Sequence, residues 1–150
     1  MKSFVCAWRG IVHAVQTERN VRIHLAALFY VVVAGRLLYS VRWEWLMLAC
    51  GLVIGAELIN TALERLCDGL EPGRSEVVRN VKDLAAGAVL VCAAAAAAGA
   101  VFVFWWDIEW YLQIDFYPAL LSRPLFWAGV AALPLWSVFI FWFGRKKKGE

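Results

Sequence analysis

Glu57, Asn60, Glu64 and Asp68 punctuate the stretch Ala-Glu-Leu-Ile-Asn-Thr-Ala-Leu-Glu-Arg-Leu-Cys-Asp. On a helix turning 100° per residue they fall at about 0°, 300°, 340° and 20°, so all four share one narrow stripe. Two other groups can meet the lower end of that stripe: Glu18, with Asn20 and Arg22 close by, and the pair Lys82-Asp83. Three or four carboxylates, an amide and a lysine make a definite chemical set. Oxygen-only ligation suits a hard cation such as Mg²⁺, which keeps water and substrate phosphates among its ligands. A lysine beside it can neutralise phosphate oxygens, and a carboxylate set deeper than the ligands can serve as general base. Those are the parts phosphoryl transfer requires, since that reaction depends on positioning and charge neutralisation. The chain has no GxxxxGK[ST] loop, so it does not hold phosphate as P-loop proteins do.

The elements that must position these groups are membrane helices. Of 150 residues, 63% are hydrophobic and 18% charged, and nine are tryptophan. The charged share lies well below the roughly 25% of soluble domains, and a chain this small could not hide so much apolar surface. A cytosolic enzyme, a nucleic-acid binder and a secreted disulfide scaffold are all disfavoured. The four cysteines, Cys6, Cys50, Cys67 and Cys92, form no CxxC pair and no metal-type spacing, which predicts free packing residues. Met1-Lys2 and the short apolar stretch ended by Arg9 make a poor signal peptide.

Four stretches approach the ~20 apolar residues that a crossing needs. Residues 84–106 and 124–144 are free of charge, whereas 23–39 contains Arg36 and 43–63 contains Glu57. Residues 3–18 are shorter, with Phe4, Trp8, Ile11, Val12 and Val15 at helical spacing, and predict an amphipathic helix lying in the interface. With the N-terminus inside and four crossings, every Lys and Arg except Arg36, Arg42 and Arg123 faces the cytoplasm. The opposite orientation violates the positive-inside rule. The stripe then starts inside the bilayer at Glu57 and ends at the cytoplasmic surface, where Glu18 and Lys82 also lie. Gly51 and Gly55, at about 120° and 160° on the same helix, predict a small-residue packing face opposite the stripe, as does the run Ala93–Ala98 on the third span. The predicted fold is all-α: a polytopic membrane protein with a surface helix, three core spans and an additional C-terminal span.

The motifs Trp8-Arg-Gly10, Glu18-Arg-Asn20-Val-Arg22-Ile-His24, Glu57-Leu-Ile-Asn60-Thr-Ala-Leu-Glu64, Asp68 and Lys82-Asp83-Leu-Ala-Ala-Gly87 follow one another over about residues 4–104. In order and spacing they resemble the bacterial diacylglycerol kinase family, which includes the undecaprenol kinases. The resemblance implies ATP-dependent phosphorylation of a membrane lipid alcohol on the cytoplasmic side of the bacterial inner membrane. It implies a homotrimer whose active sites form between protomers, with a lipid kinase domain over residues 1–106. Carried over by position, Glu57 is the general base, and Glu18 and Glu64 bind the divalent metal, Mg²⁺, that bridges the ATP phosphates. Lys82 contacts phosphate oxygens, Asn60 orients substrate or base, Asp68 and Asp83 help hold the nucleotide, and Arg22 joins them on the substrate side. Apolar helix faces accept a prenyl chain or two acyl chains alike, so undecaprenol and diacylglycerol both remain candidates.

Two departures stand out. Ser75 occupies a position where many relatives carry His, seven residues before the lysine. Residues 107–150 add an acidic, aromatic outer loop, a fourth span and the basic tail Arg145-Lys-Lys-Lys148. A buried carboxylate also suits an ion pathway, so a proton-coupled transporter and a non-catalytic scaffold are the rival readings. A transporter would more naturally show internal repeats, and none is seen. A scaffold gives no reason for Glu57. His13 and His24 read as interfacial packing residues.

Overall fold

A computed structural model describes residues 2–38, 42–70, 75–106, 112 and 116–143, and of residues 35–38 the backbone alone. Its elements are helices: α1 (Lys2–Thr17), α2 (Arg19–Leu38), α3 (Trp43–Leu70), α4 (Glu76–Trp106), α5 (Phe116–Leu121) and α6 (Pro124–Trp142). The outer loop around 107–115 and the basic tail from residue 144 fall almost wholly outside the described residues.

Three of these helices, α3, α4 and α6, are long and apolar enough to cross a membrane. At 1.5 Å per residue, the 28 residues of α3 and 31 of α4 extend about 42 and 46 Å. A hydrocarbon layer of about 30 Å cannot contain either helix whole. The surplus is the charged end of each: Glu64 to Leu70 on α3 and Glu76 to Asp83 on α4. Helix α2 has 20 residues, about 30 Å.

α4 packs on α3, α3 on α2 and α2 on α6, while α1 touches α2 and α3. Side-chain bonds set the levels. Glu18, just before α2, is paired with Arg65 near the end of α3. Asp68 on α3 is paired with Lys82 near the start of α4. Arg22, in the first turn of α2, donates to the carbonyl of Ile140 near the end of α6. The start of α2, the end of α3, the start of α4 and the end of α6 therefore share one level, and neighbouring helices run antiparallel.

The interior is thin. Its apolar members are Ala14, Val21, Ala26, Leu46, Val53, Cys67, Ala85 and Val103, while Leu52, Ile59, Leu84, Leu90, Phe102 and Leu135 are more than half exposed. Water would not tolerate an apolar surface of that extent, but lipid does. On α1 the apolar residues Phe4, Trp8, Ile11 and Val12 are exposed and Ala14 alone is buried. That is how a helix lies with one face in an interface.

The small-residue faces behave otherwise than expected. A Cβ added at Gly51, Gly55, Gly87 or Gly99 would meet nothing within 4 Å, and Ala94, Ala95, Ala97 and Ala98 are exposed. The side of α3 that packs is the polar one: Leu46, Val53, Glu57, Asn60, Thr61 and Cys67 are its buried residues. On α6 the seam with α2 is aromatic, with Phe29 and Trp136 ring centroids 5.4 Å apart. Gly129 gives the close approach, since a Cβ there would lie 3.3 Å from Val33 Cγ1. All four cysteines are free, as their spacing predicts.

Candidate active site

Glu57 is 3% exposed, on the buried side of α3. A carboxylate in that position is costly in lipid and marks a functional site by default. One turn on, Asn60 is also buried, and its Nδ2 donates to Glu64 Oε1 at 3.0 Å. Asn60 Oδ1 is buried with no partner. Buried polar atoms are almost always paired, so this oxygen calls for a partner that the described residues do not supply.

The rim of the stripe is made by three helices. The chain breaks helix at Glu18 for one residue between α1 and α2, which puts this carboxylate at the α2 N-terminus, where the helix dipole favours negative charge. Arg65 Nη2 reaches it at 3.1 Å and the hydroxyl of Thr17 at 2.6 Å. Since Arg65 follows Glu64 directly, this pair sets Glu18 at the same level of α3 as the Asn60–Glu64 pair. Further down, Lys82 Nζ donates to Asp68 Oδ1, closing α4 onto the end of α3. Ser75 begins α4 as its N-cap residue, a position serine favours, and its carbonyl accepts the Arg79 N–H.

Two further expected site residues make their bonds outside this set. Asp83 is exposed on the outer side of α4, 3.9 Å from Arg79 Nε one turn before it. Arg22 is 4% exposed and bonded to backbone carbonyls of α1 and α6. Conversely, Arg65 and Thr17 enter the site although no motif or spacing marks them in the sequence. Arg65 sits at a helix end among other charges, and nothing local distinguishes it from a solvated residue.

Between α1 and α3 runs a cleft of about 470 Å³ lined by Ala7, Gly10, Ile11, His13, Leu58, Thr61 and Arg65, among others. It is mostly apolar, and the residues on its α3 wall alternate with those of the stripe. Thr61 lines the cleft and stands one turn after Glu57 on the same helix.

For a divalent cation, the donor chemistry fits. The Glu64 carboxylate and the orphaned Asn60 oxygen are the hard oxygen ligands Mg²⁺ selects. Among the described residues no three His, Cys, Asp or Glu side chains converge. The described residues therefore offer part of a coordination shell, and Mg²⁺ is usually held by a few protein oxygens with water and phosphates completing the shell.

A helical membrane protein with a buried carboxylate above a rim of ion-paired acids and a lysine defines a class: enzymes that act where bilayer and water meet. The comparisons with known proteins specify it. Residues 5–104 match the family described as prokaryotic diacylglycerol kinase. This chain belongs to that family and is a membrane lipid kinase. It is 40% identical over 94 residues to the undecaprenol kinase of Bacillus subtilis, covering 61% of this chain and 76% of that protein. It is 44% identical over 98 residues to the diacylglycerol kinase of Synechocystis sp., covering 63% of this chain and 55% of that protein. The chain thus spans little more than half the length of the second relative. No solved structure gives a significant match. α5 and α6 lie beyond the matched residues.

Proposed function

We propose that this chain transfers the γ-phosphoryl group of ATP to the hydroxyl of a membrane lipid alcohol, undecaprenol or diacylglycerol, at the cytoplasmic face of a bacterial inner membrane. The observation that carries this is Glu57, buried in an apolar helix one turn from the Asn60–Glu64 pair. Glu57 is the general base. It accepts the proton of the lipid hydroxyl as that oxygen bonds to the γ-phosphorus and the bond to the β,γ-bridging oxygen breaks, releasing ADP. The α1–α3 cleft suits the acceptor, because an apolar chain can lie along it with its hydroxyl turned towards Thr61, one turn along α3 from Glu57.

Glu64 and Glu18 would hold Mg²⁺ with help from the Asn60 oxygen, and the bound ion would neutralise phosphate charge. Lys82 and Asp68 form the nucleotide side of the site, the lysine facing phosphate oxygens and the carboxylate holding it in place. The same level, with Lys2, Arg9, Arg19, Arg65 and Arg79 near it, reads as cytoplasmic by the positive-inside rule, with both termini on that side. The open small-residue faces of α3 and α4 suit close packing against further copies, in keeping with a homotrimer.

The test is purified protein in mixed micelles with labelled ATP and Mg²⁺, offered undecaprenol and diacylglycerol separately. Label is expected in one or both lipids. Label in neither would overturn the proposal, and the ratio of the two would name the acceptor.

A further inference from the structure

Arg22 is among the most deeply buried charged groups of the described chain, at 4% exposed. A buried guanidinium ordinarily faces a carboxylate. Among the described residues this one faces three carbonyl oxygens: Nη1 donates to Val15 at 2.9 Å and Gln16 at 3.4 Å, and Nε donates to Ile140 at 3.2 Å. Val15 and Gln16 belong to the last turn of α1, and Ile140 to the last turn of α6. The final carbonyls of a helix have no partner within it and carry the negative end of its dipole. One arginine therefore terminates two helices that come from opposite ends of the chain. The carbonyls it takes on α1 immediately precede Thr17 and Glu18, the two groups that Arg65 grips.

We infer that Arg22 is a positioning residue and α6 an intramolecular clamp: by holding Arg22 against the end of α1, the C-terminal helix fixes where Glu18 stands relative to α3. The four contacts along the seam make α6 able to do so. Ile140 meets Arg22, Trp136 meets Phe29, and Gly129 meets both Tyr30, whose hydroxyl donates to its carbonyl at 3.3 Å, and Val33. Opening the seam at Gly129 disturbs the same helix eleven residues before the Ile140 carbonyl, with Pro134 between them. The consequence for catalysis rests on the lipid-kinase proposal; the mechanical coupling does not.

The experiment uses the full chain in detergent and has two arms. The variants are Arg22→Lys, which keeps the charge but not the fork, Gly129→Leu, which wedges α6 from α2, and the milder Gly129→Ala in case Leu prevents folding. Leu135→Ala, on the 70% exposed outer face of α6, is the control. In the first arm, amide exchange at residues 15–22 is expected to quicken about tenfold in Arg22→Lys and in the Gly129 variant, and to stay unchanged in the control. In the second, the KM for MgATP is expected to rise about fivefold with kcat little altered, and the double variant to be no worse than the poorer single one. Faster exchange at 124–142 in the Gly129 variant with none at 15–22 would overturn the clamp, as would strictly additive effects. A wild-type chain that phosphorylates neither lipid would sink the kinase proposal while leaving the exchange arm to decide the clamp.

Discussion

α3 and α6 are both apolar helices able to span a bilayer, yet they use polarity in opposite ways. α3 turns Glu57, Asn60 and Thr61 towards the protein and leaves Leu48, Leu52 and Ile59 to lipid. α6 is apolar all round: between Pro124 and Trp142 its one side chain with a hydroxyl, Ser137, bonds its own Pro134 carbonyl. Its polar contacts with α2 are main-chain, through the carbonyls of Gly129 and Ile140. On the proposed function one helix carries chemistry in its side chains, while the other contributes position through its backbone. Substitutions should therefore be severe and local on the buried stripe of α3 but mild and distributed on α6.

The largest effect is expected from Glu57→Gln, which keeps the shape and removes the base. Turnover should fall about a thousandfold, within the range for a general base, while nucleotide binding persists. Near-normal turnover would end the distinction between the helices at its strongest point. Lys82→Met should come next, raising the KM for MgATP about tenfold by deleting a charge-assisted phosphate contact; a change confined to the lipid KM would move the lysine to the other substrate. Removing residues 107–150 should leave measurable activity with a KM for MgATP raised about fivefold, the size of a typical coupling between sites. Complete loss with helical content intact would make α6 a part of the chemistry. The smallest effect belongs to Arg65→Met. Its pair with Glu18 is 41% and 32% exposed at the two side chains, and such pairs contribute at most about 1 kcal/mol and often nothing measurable, so a change between none and about fivefold is expected in steady-state assays.

What can be read from the chain follows the same division. The stripe from Glu57 to Asp68 is legible because side chains at helical spacing betray a common face, and a carboxylate is too costly in an apolar run to stand there without a task. The direction in which that stripe points is legible only in part. Gly51 and Gly55 lie opposite it and their size predicts packing, but in the single chain the polar side packs and the glycines are open. Small residues permit close approach without saying from what. Arg65 is hidden among other interface charges, and Arg22 among apparent ligands, since pairing with Glu18 or with carbonyls 118 residues away is decided by tertiary approach. α6 gives the least warning. A backbone carbonyl is present at every position, so no residue type announces the one that matters.

The single-residue break at Glu18 has a consequence for how the enzyme would meet its substrates. On the proposed topology the chain leaves the membrane surface and enters the bilayer at that point, and the fold then sets the carboxylate's depth like a mark on a gauge. From Glu57 to Asp68 is eleven residues of helix, about 16 Å of rise, roughly half the hydrocarbon thickness. One end of that span is within reach of an alcohol that never leaves the lipid, and the other of a nucleotide that never leaves water. Search for the acceptor is then a two-dimensional problem. Rates should follow the mole fraction of lipid alcohol in the surface and stay constant when more membrane of the same composition is added at saturating protein occupancy.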